Sequence, residues 1–276
     1  MPYIKIQSVY GITSKYENYI RNVLGKRQMR FIDTLEWQKL FNKIEYPTSA
    51  KKLLSYMKSC YKKAVLNNIV IDNPMLGVEI HNNHRKKKKY VPTRKELSDF
   101  LDYLEDKRKD LKLVCEFISL TGLRIGEACA LTINDIDFKN KNITINKSYN
   151  RFSKKISSTK TSNSDRIIPL LDKTKNIINE YINLYGNKKI IFHKMKSQNI
   201  TNTLKYHANQ FGLCGLTPHI LRHFYSTVCI EAGIHQKVVQ KWLGHSSVLM
   251  TLDLYTDVKE EFKATETQKL ASFINA

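Results

Sequence analysis

Apolar residues recur along this chain at two different spacings, and the spacing changes where turn residues interrupt it. From residue 15 to about residue 76 the period is helical. Tyr16, Tyr19, Ile20 and Val23 predict one helix and residues 35–44 a second. A stretch starting near Thr48, with Leu53, Leu54, Met57, Tyr61 and Val65, predicts a third, which Pro47 and Pro74 bracket as stop signals. The segment Pro92-Thr93-Arg94-Lys95-Glu96 then opens a second part. It reads as a capping box, with Thr93 as N-cap and Glu96 at the third helical position, so a helix is expected to about Leu104. Another helix covers residues 111–120 and stops near Gly122. The period next shortens. Residues 143–145 and 166–170 read as strands of a small antiparallel sheet, with a polar, basic hairpin carrying Lys154, Lys155 and Lys160 between them. Helical spacing returns at 176–185, 201–211, 219–232 and 235–243. The expected fold is mainly α with a small antiparallel β-sheet: a helical unit over 1–84, a linker over 85–91, and a mixed α/β domain over 92–276.

Charge narrows the class of partner. Lys and Arg total 46 against 25 Asp and Glu, a formal net charge of +21. Such an excess favours a polyanion, nucleic acid before an anionic membrane surface. No apolar stretch approaches the roughly 18 residues needed to span a bilayer. The first residues, MPYIKIQSVY, lack the apolar core and cleavage site of a signal peptide. Cys60, Cys115, Cys129, Cys214 and Cys229 are odd in number and widely spaced. They predict neither a disulfide framework nor a structural zinc site, and they fit a reducing cytoplasm. The unbroken run Arg85 to Lys89, preceded by His81 and His84, has no apolar residue to bury. It reads as an exposed linker able to add phosphate contacts.

Candidate chemistry gathers in the second part. His219 and Arg222 are three residues apart after Pro218, so a helix starting at that proline puts both on one face. Arg offers a planar fork of donors to phosphate oxygens, and His can move a proton near neutral pH. His223 is one turn from His219, so spacing does not choose between the histidines. Composition alone favours a plain charged helix surface here. Further on, Gly244-His245-Ser246-Ser247 offers a serine to cap a following helix, whose N-terminus would favour a phosphate. Tyr255 follows ten residues after His245. A phenol with a reference pKa of about 10 is a poor nucleophile without cationic neighbours and a proton acceptor. Any one of the fifteen tyrosines, taken singly, reads as a packing residue.

The ordered set changes that weighing. TGLRIGEA at 121–128, HILRH at 219–223, GHSS at 244–247 and then Tyr255 together resemble the tyrosine recombinase, or phage integrase, family over most of 91–258. The first part, best in TSAKKLLSYMKSCYKKAVLNNIVIDNPM, resembles the helical core-DNA-binding domain of integrases from mobile elements of Gram-positive bacteria. The resemblance implies catalytic roles for Arg124 and Arg222 as the two arginines, His219 as histidine partner of the second, His245 in the Gly-His turn, and Tyr255 as nucleophile. It implies the hairpin lysine at Lys160, in TKTSNSDRIIPL, with Lys154 and Lys155 as rivals. Glu127 takes a structural or orienting role. The implied reaction cleaves and rejoins double-stranded DNA through a 3′-phosphotyrosyl link.

The implied partners are specific core sites, a homo-tetramer on paired sites, and accessory directionality or DNA-bending factors. No membrane, metal or cofactor is expected, and the setting is a bacterial or phage-encoded cytoplasmic protein. A type IB topoisomerase, a catalytically inactive DNA-binding relative and a basic structural protein stand as the alternatives. Departures from the family's pattern are Ile220, where an acidic or small residue is common, and Asp257, where histidine is common. Related element integrases often begin with a further domain that binds arm sites, whereas here the first residues already run into the helical module; a simple recombinase, a trimmed product and a remnant all stand as readings of this front. Phe262, Leu270 and Phe273 are spaced for an amphipathic tail helix. The plain reading packs it on its own domain, whereas the resemblance implies docking on a neighbouring protomer.

Overall fold

The computed structural model describes residues 6–81, 90–158, 165–194 and 196–244, and it divides into two units, Met1–Lys88 and Lys89–Ala276. The Arg85–Lys89 run, Lys160, His245, Ser246, Ser247, Tyr255, Asp257 and the predicted tail helix lie outside the described residues, save that Lys89 opens the second unit by number.

The first unit contains α1 (Ile6–Lys15), α2 (Thr34–Asn42) and α3 (Pro47–Leu66). Asp33 caps α2 by accepting from the Glu36 backbone N–H at 2.8 Å, and Glu36 reaches back to the Asp33 N–H. Trp37, 1% exposed, donates its Nε1–H to Tyr61 Oη at 3.0 Å. Tyr61 in turn donates to the Met29 carbonyl at 3.2 Å, so the polar ends of this buried aromatic pair are satisfied.

Three sequence expectations change here. The first helix begins at Ile6, and the predicted Tyr16–Val23 stripe is a π-helical turn, Tyr16–Ile20, whose wider winding is closed by Arg21 N–H to the Tyr16 carbonyl at 2.9 Å. The wider turn buries Ile20 but leaves Tyr16 and Val23 exposed. Pro47 opens α3 instead of stopping a preceding helix, because at the first helical position its missing N–H leaves no bond unmade. That helix also ends at Leu66, before Asn68 turns left-handed at φ 56°, while Pro74 starts a 3₁₀ turn, Pro74–Gly77.

The second unit is built around α5 (Lys109–Thr121). Leu111, Leu113, Val114, Phe117 and Ile118 along it are 0% exposed. Burying each such side chain contributes roughly 1.5–3 kcal/mol. Before it runs α4 (Arg94–Lys107), opened by the predicted capping box: Thr93 Oγ1 accepts from Glu96 N–H at 3.2 Å, and Glu96 accepts from Thr93 N–H at 2.7 Å. After it come α6 (Ile125–Ala128), β1 (Ile136–Asp137), β2 (Asn142–Ile145), β3 (Lys147–Asn150), β4 (Lys155–Ser158) and β5 (Arg166–Pro169). The helices α7 (Asp172–Tyr185), α8 (Ser197–Phe211), α9 (Pro218–Glu231) and α10 (Gln236–Leu243) follow. α7 and α8 start four residues before their apolar period does, since their first turns carry mostly polar residues that the period cannot mark.

The β-structure is two antiparallel sheets where the sequence predicted one. Three strands pair in the order β1-β2-β5, with Ile143 opposite Ile168 and Ile145 opposite Arg166. β3 and β4 form a separate hairpin, with Lys147 opposite Ser158. The break falls between Ile145, which is buried, and Lys147, whose ammonium is held by Asp135 at 2.7 Å and by Thr132 Oγ1 at 3.1 Å. No described helix is long and apolar enough to cross a membrane.

Candidate active site

The segment TGLRIGEA folds as a stop, a turn and a restart. Gly122 ends α5 in the left-handed region at φ 64°, with its N–H donating to the Ile118 carbonyl at 2.9 Å. A side chain there would also collide: a Cβ would stand 2.4 Å from Tyr225 Cδ1 and 2.8 Å from Leu243 Cδ2. Arg124 is extended, at φ −68° and ψ 145°, and precedes α6. Gly126 lets α6 press on β3, where a Cβ would meet Ser148 Oγ at 2.6 Å. Glu127 sits at the third position of α6 and is 3% exposed.

The Glu127 carboxylate joins two arginines. It accepts from the Arg124 backbone N–H at 2.9 Å and from Arg124 Nη1 at 2.9 Å. It also takes a two-pronged bond from Arg166, with Nη1 at 3.0 Å and Nη2 at 2.7 Å. These bonds fill the roughly four lone-pair directions of a carboxylate. On the other side of the cluster, α10 ends with three successive carbonyls, each held by a different arginine. Arg166 Nε donates to Trp242 O at 2.6 Å, Arg222 Nη2 donates to Leu243 O, and Arg124 Nη2 donates to Gly244 O at 2.9 Å. Carbonyls in the last turn of a helix have no partner inside it and carry the negative end of its dipole, so cations are favoured there. Arg222 Nη1 also donates to the Gly122 carbonyl at 2.8 Å, tying the end of α5 to the end of α10. Gly244, left-handed at φ 62°, closes α10 where a Cβ would press on the Arg166 guanidinium at 3.2 Å.

Charge in the cluster is unbalanced. Among the described residues it holds the guanidiniums of Arg124, Arg166 and Arg222 against the Glu127 carboxylate. Burial and then the Arg124 charge push the Arg222 guanidinium down from its ordinary value. A bound anion would oppose both effects, because a nearby negative charge favours the charged guanidinium. Burial alone would raise the Glu127 carboxyl, but the hydrogen bond and charge of Arg166, with the Arg124 charge, outweigh it and hold the group below the ordinary carboxylate range.

A pH dependence follows with a definite sign. Since the folded-state value lies below the unfolded value of about 4.3, the ionised Glu127 contributes stability that is complete above that pH. That contribution is lost as pH falls through the folded value. The Arg166–Glu127 pair is 1% and 2% exposed, and removing one partner of such a pair costs roughly 3–5 kcal/mol. Glu127→Gln should therefore unfold at lower urea concentration than the native chain at pH 7. The gap should narrow as pH drops below about 4. A gap that stays constant across that range in urea titrations would contradict the assignment.

The sequence-derived residues fall into three groups. Arg124 and Arg222 are brought together at the end of α10, with Arg124 half-exposed and Arg222 buried. His219 is exposed on the first turn of α9, and its ring lies edge-on to His223 with centroids 4.4 Å apart. The third group, Lys160, His245 and Tyr255, lies outside the described residues. Lys154 and Lys155 are both exposed on the β3–β4 hairpin. Sequence reasoning passed over Arg166 as an ordinary strand residue. The signal was present: alternation along β5 puts Arg166 in phase with buried Ile168 and Leu170, and a charge on an inward face needs a partner.

Known proteins share this architecture. The phage integrase family model matches residues 91–261. A tyrosine recombinase of Thermosipho africanus is 27% identical over 257 residues, covering 91% of this chain and 86% of the relative. The integrase of Staphylococcus phage L54a is 26% identical, covering 98% and 88%. The Tn1549 transposon integrase, solved in complex with transposon right end DNA, has a TM-score of 0.81 at 19% identity, over 98% of this chain and 95% of that one. A lambda integrase tetramer bound to a Holliday junction has a TM-score of 0.72 at 20% identity, over 92% and 72%. With the matched family region spanning both arginine segments and continuing past position 255, this chain belongs to the phage integrase family of tyrosine recombinases.

Proposed function

We propose that the chain cuts and rejoins double-stranded DNA at specific core sites, for integration or excision of a mobile element in a bacterial cytoplasm. The observation that carries this reading is the arginine cluster. The bonds described use two side-chain donors of Arg124 and two of Arg222. A guanidinium has five, so each keeps N–H groups for phosphoryl oxygens. Before substrate arrives Arg124 is held by a carboxylate and a backbone carbonyl and Arg222 by two backbone carbonyls, which is the preorganisation that stabilises charge developing in a transition state.

In the proposed reaction Tyr255 Oη attacks a backbone phosphorus. An O–P bond to the tyrosine forms and the P–O5′ bond breaks. Lys160 donates a proton to the departing 5′-oxygen, and the phenolic proton passes to an acceptor, for which His219 is the candidate. His245 hydrogen-bonds the phosphate. In the second step a 5′-hydroxyl from the partner strand attacks the 3′-phosphotyrosyl link and releases Tyr255. One phosphodiester is exchanged for another, so no external energy source is required. Exchange between two duplexes needs four cleavages and hence four protomers, one per half-site, and the tetrameric lambda integrase supports that count. Residues 1–84 would grip the core site as a helical DNA-binding domain, and the tail with Phe262, Leu270 and Phe273 would dock on a neighbour. Directionality or DNA-bending factors would act on the assembled complex.

The test is covalent trapping. A pool of randomised nicked duplexes is incubated with the native chain at fixed salt, since phosphate-dominated binding changes steeply with ionic strength. Denaturing gels should show a protein–DNA species whose linked peptide contains Tyr255. Tight binding without any such species would mark an inactive DNA-binding relative. Relaxation of a supercoiled plasmid lacking the selected site would favour a topoisomerase.

A further inference from the structure

Arg166 is a cation on the inward side of a strand, its side chain 1% exposed. Removing a guanidinium from water is costly, and an apolar side chain of similar volume in such a place is often as stable or more so. Fold stability alone is therefore a weak reason for an arginine here. Its bonds offer a better one. Arg166 spans β5, the Glu127 carboxylate on α6 and the Trp242 carbonyl at the end of α10. Glu127 in turn holds both the main chain and the side chain of Arg124, and the two carbonyls after Trp242 hold Arg222 and Arg124. Arg166 is thus the group through which the two halves of the cluster are set against each other.

We infer that Arg166 is a positioning residue for DNA cleavage: it touches no substrate but fixes Glu127 and the last turn of α10 so that Arg124 and Arg222 converge on one phosphate. This rests on the function proposed above. Arg124 is a long side chain, 42% exposed. It would sample other rotamers if Glu127 could turn. A lysine at position 166 keeps the charge but lacks the planar fork, so it cannot reproduce both the paired bond to Glu127 and the bond to Trp242 O.

The experiment compares the native chain, Arg166→Lys and Arg166→Ala on one nicked duplex recovered from the randomised pool. Single-turnover adduct formation at saturating duplex, duplex affinity and Tm are measured, with rates taken well below each variant's own Tm. Arg166→Lys should form adduct roughly 10- to 100-fold more slowly, by analogy with the loss of residues that orient the ligands of a metal site. Its affinity should stay within about threefold, because phosphate contacts made elsewhere carry binding. Free guanidinium ion should restore part of the rate to Arg166→Ala and none to Arg166→Lys. Native rates in a folded Arg166→Lys, or a loss confined to Tm, would overturn the inference. Two variants that fail to fold would also overturn it, by assigning Arg166 to stability. Failure of the native chain to form any adduct would instead bring down the functional reading, and this inference with it.

Discussion

Tyr255→Phe is expected to bind its duplex as tightly as the native chain and to leave no covalent protein–DNA species on a denaturing gel. The substitution removes one oxygen and keeps the ring. Whatever packing Tyr255 makes through its ring survives, while the atom that would form the O–P bond is gone. Loss of the nucleophile alone costs on the order of 10⁶-fold in a well-studied hydrolase, about as much as losing all the groups that work with it. The adduct should therefore vanish from view instead of merely declining. A phenol with a reference pKa of about 10 is also mostly protonated, and so a poor nucleophile, at neutral pH unless positive charge favours its ionised form. A cluster with three guanidiniums against one carboxylate has the sign to do this. Adduct formation by Tyr255→Phe, with the linked peptide mapping to another of the fifteen tyrosines, would sink the assignment.

The second large effect is expected at Arg222. Arg222→Lys should cut adduct formation at saturating duplex by roughly 10²–10³-fold, the usual cost of losing one preorganised donor to developing charge. Lysine preserves the charge, so gross attraction to DNA should persist. It loses the fork that now holds Gly122 O and Leu243 O while presenting further N–H groups. Arg222→Ala should cleave no better and should also be less stable, since those two carbonyls lose their partner inside the fold. An unpaired buried polar group costs about 1–3 kcal/mol. Relief of a buried guanidinium pushed down by burial and by Arg124 offsets part of that cost. Single-turnover rates measured across duplex concentrations decide the point. Full recovery of cleavage by Arg222→Lys at saturating DNA would make Arg222 a binding residue and not a catalytic one.

Much of this architecture was legible from local chemistry. The capping box at Thr93 and Glu96 needs only four consecutive residues, and it forms as predicted. The halt at Gly122 likewise follows from one glycine after an apolar run. Apolar period located α5, α9 and α10 within a residue or two, because their buried faces run nearly to their ends. It misplaced the starts of α7 and α8, whose first turns are polar, and it could not separate a π turn from an α turn at Tyr16–Ile20. For the site, the motifs supplied Arg124 and Arg222 but not the way they are held. Apart from Glu127, three positions from Arg124 and given an orienting role by the resemblance, their anchors lie some 20 to 120 positions away in sequence, at Gly122 and Leu243 for one and at Gly244 for the other. Backbone carbonyls leave no residue-type signature at all. Arg166 was readable in principle from the alternation of β5, yet its partner Glu127 stands 39 positions earlier, beyond any local pattern.

The run of three carbonyls at the end of α10 makes length a fixed quantity in this part of the chain. Each residue of a helix turns the backbone by about 100° and advances it by about 1.5 Å. Inserting or deleting a single residue within Gln236–Leu243 would swing the groups at 242, 243 and 244 to new bearings and take one acceptor from each of the three arginines together. No change of side chain elsewhere could restore the match, because the acceptors belong to the main chain. Exposed turns such as the one at Gly186, where added bulk meets open space, face no such constraint. Descendants of this chain are thus free to lengthen or shorten there, while α10 can accept substitutions but not a change in its count.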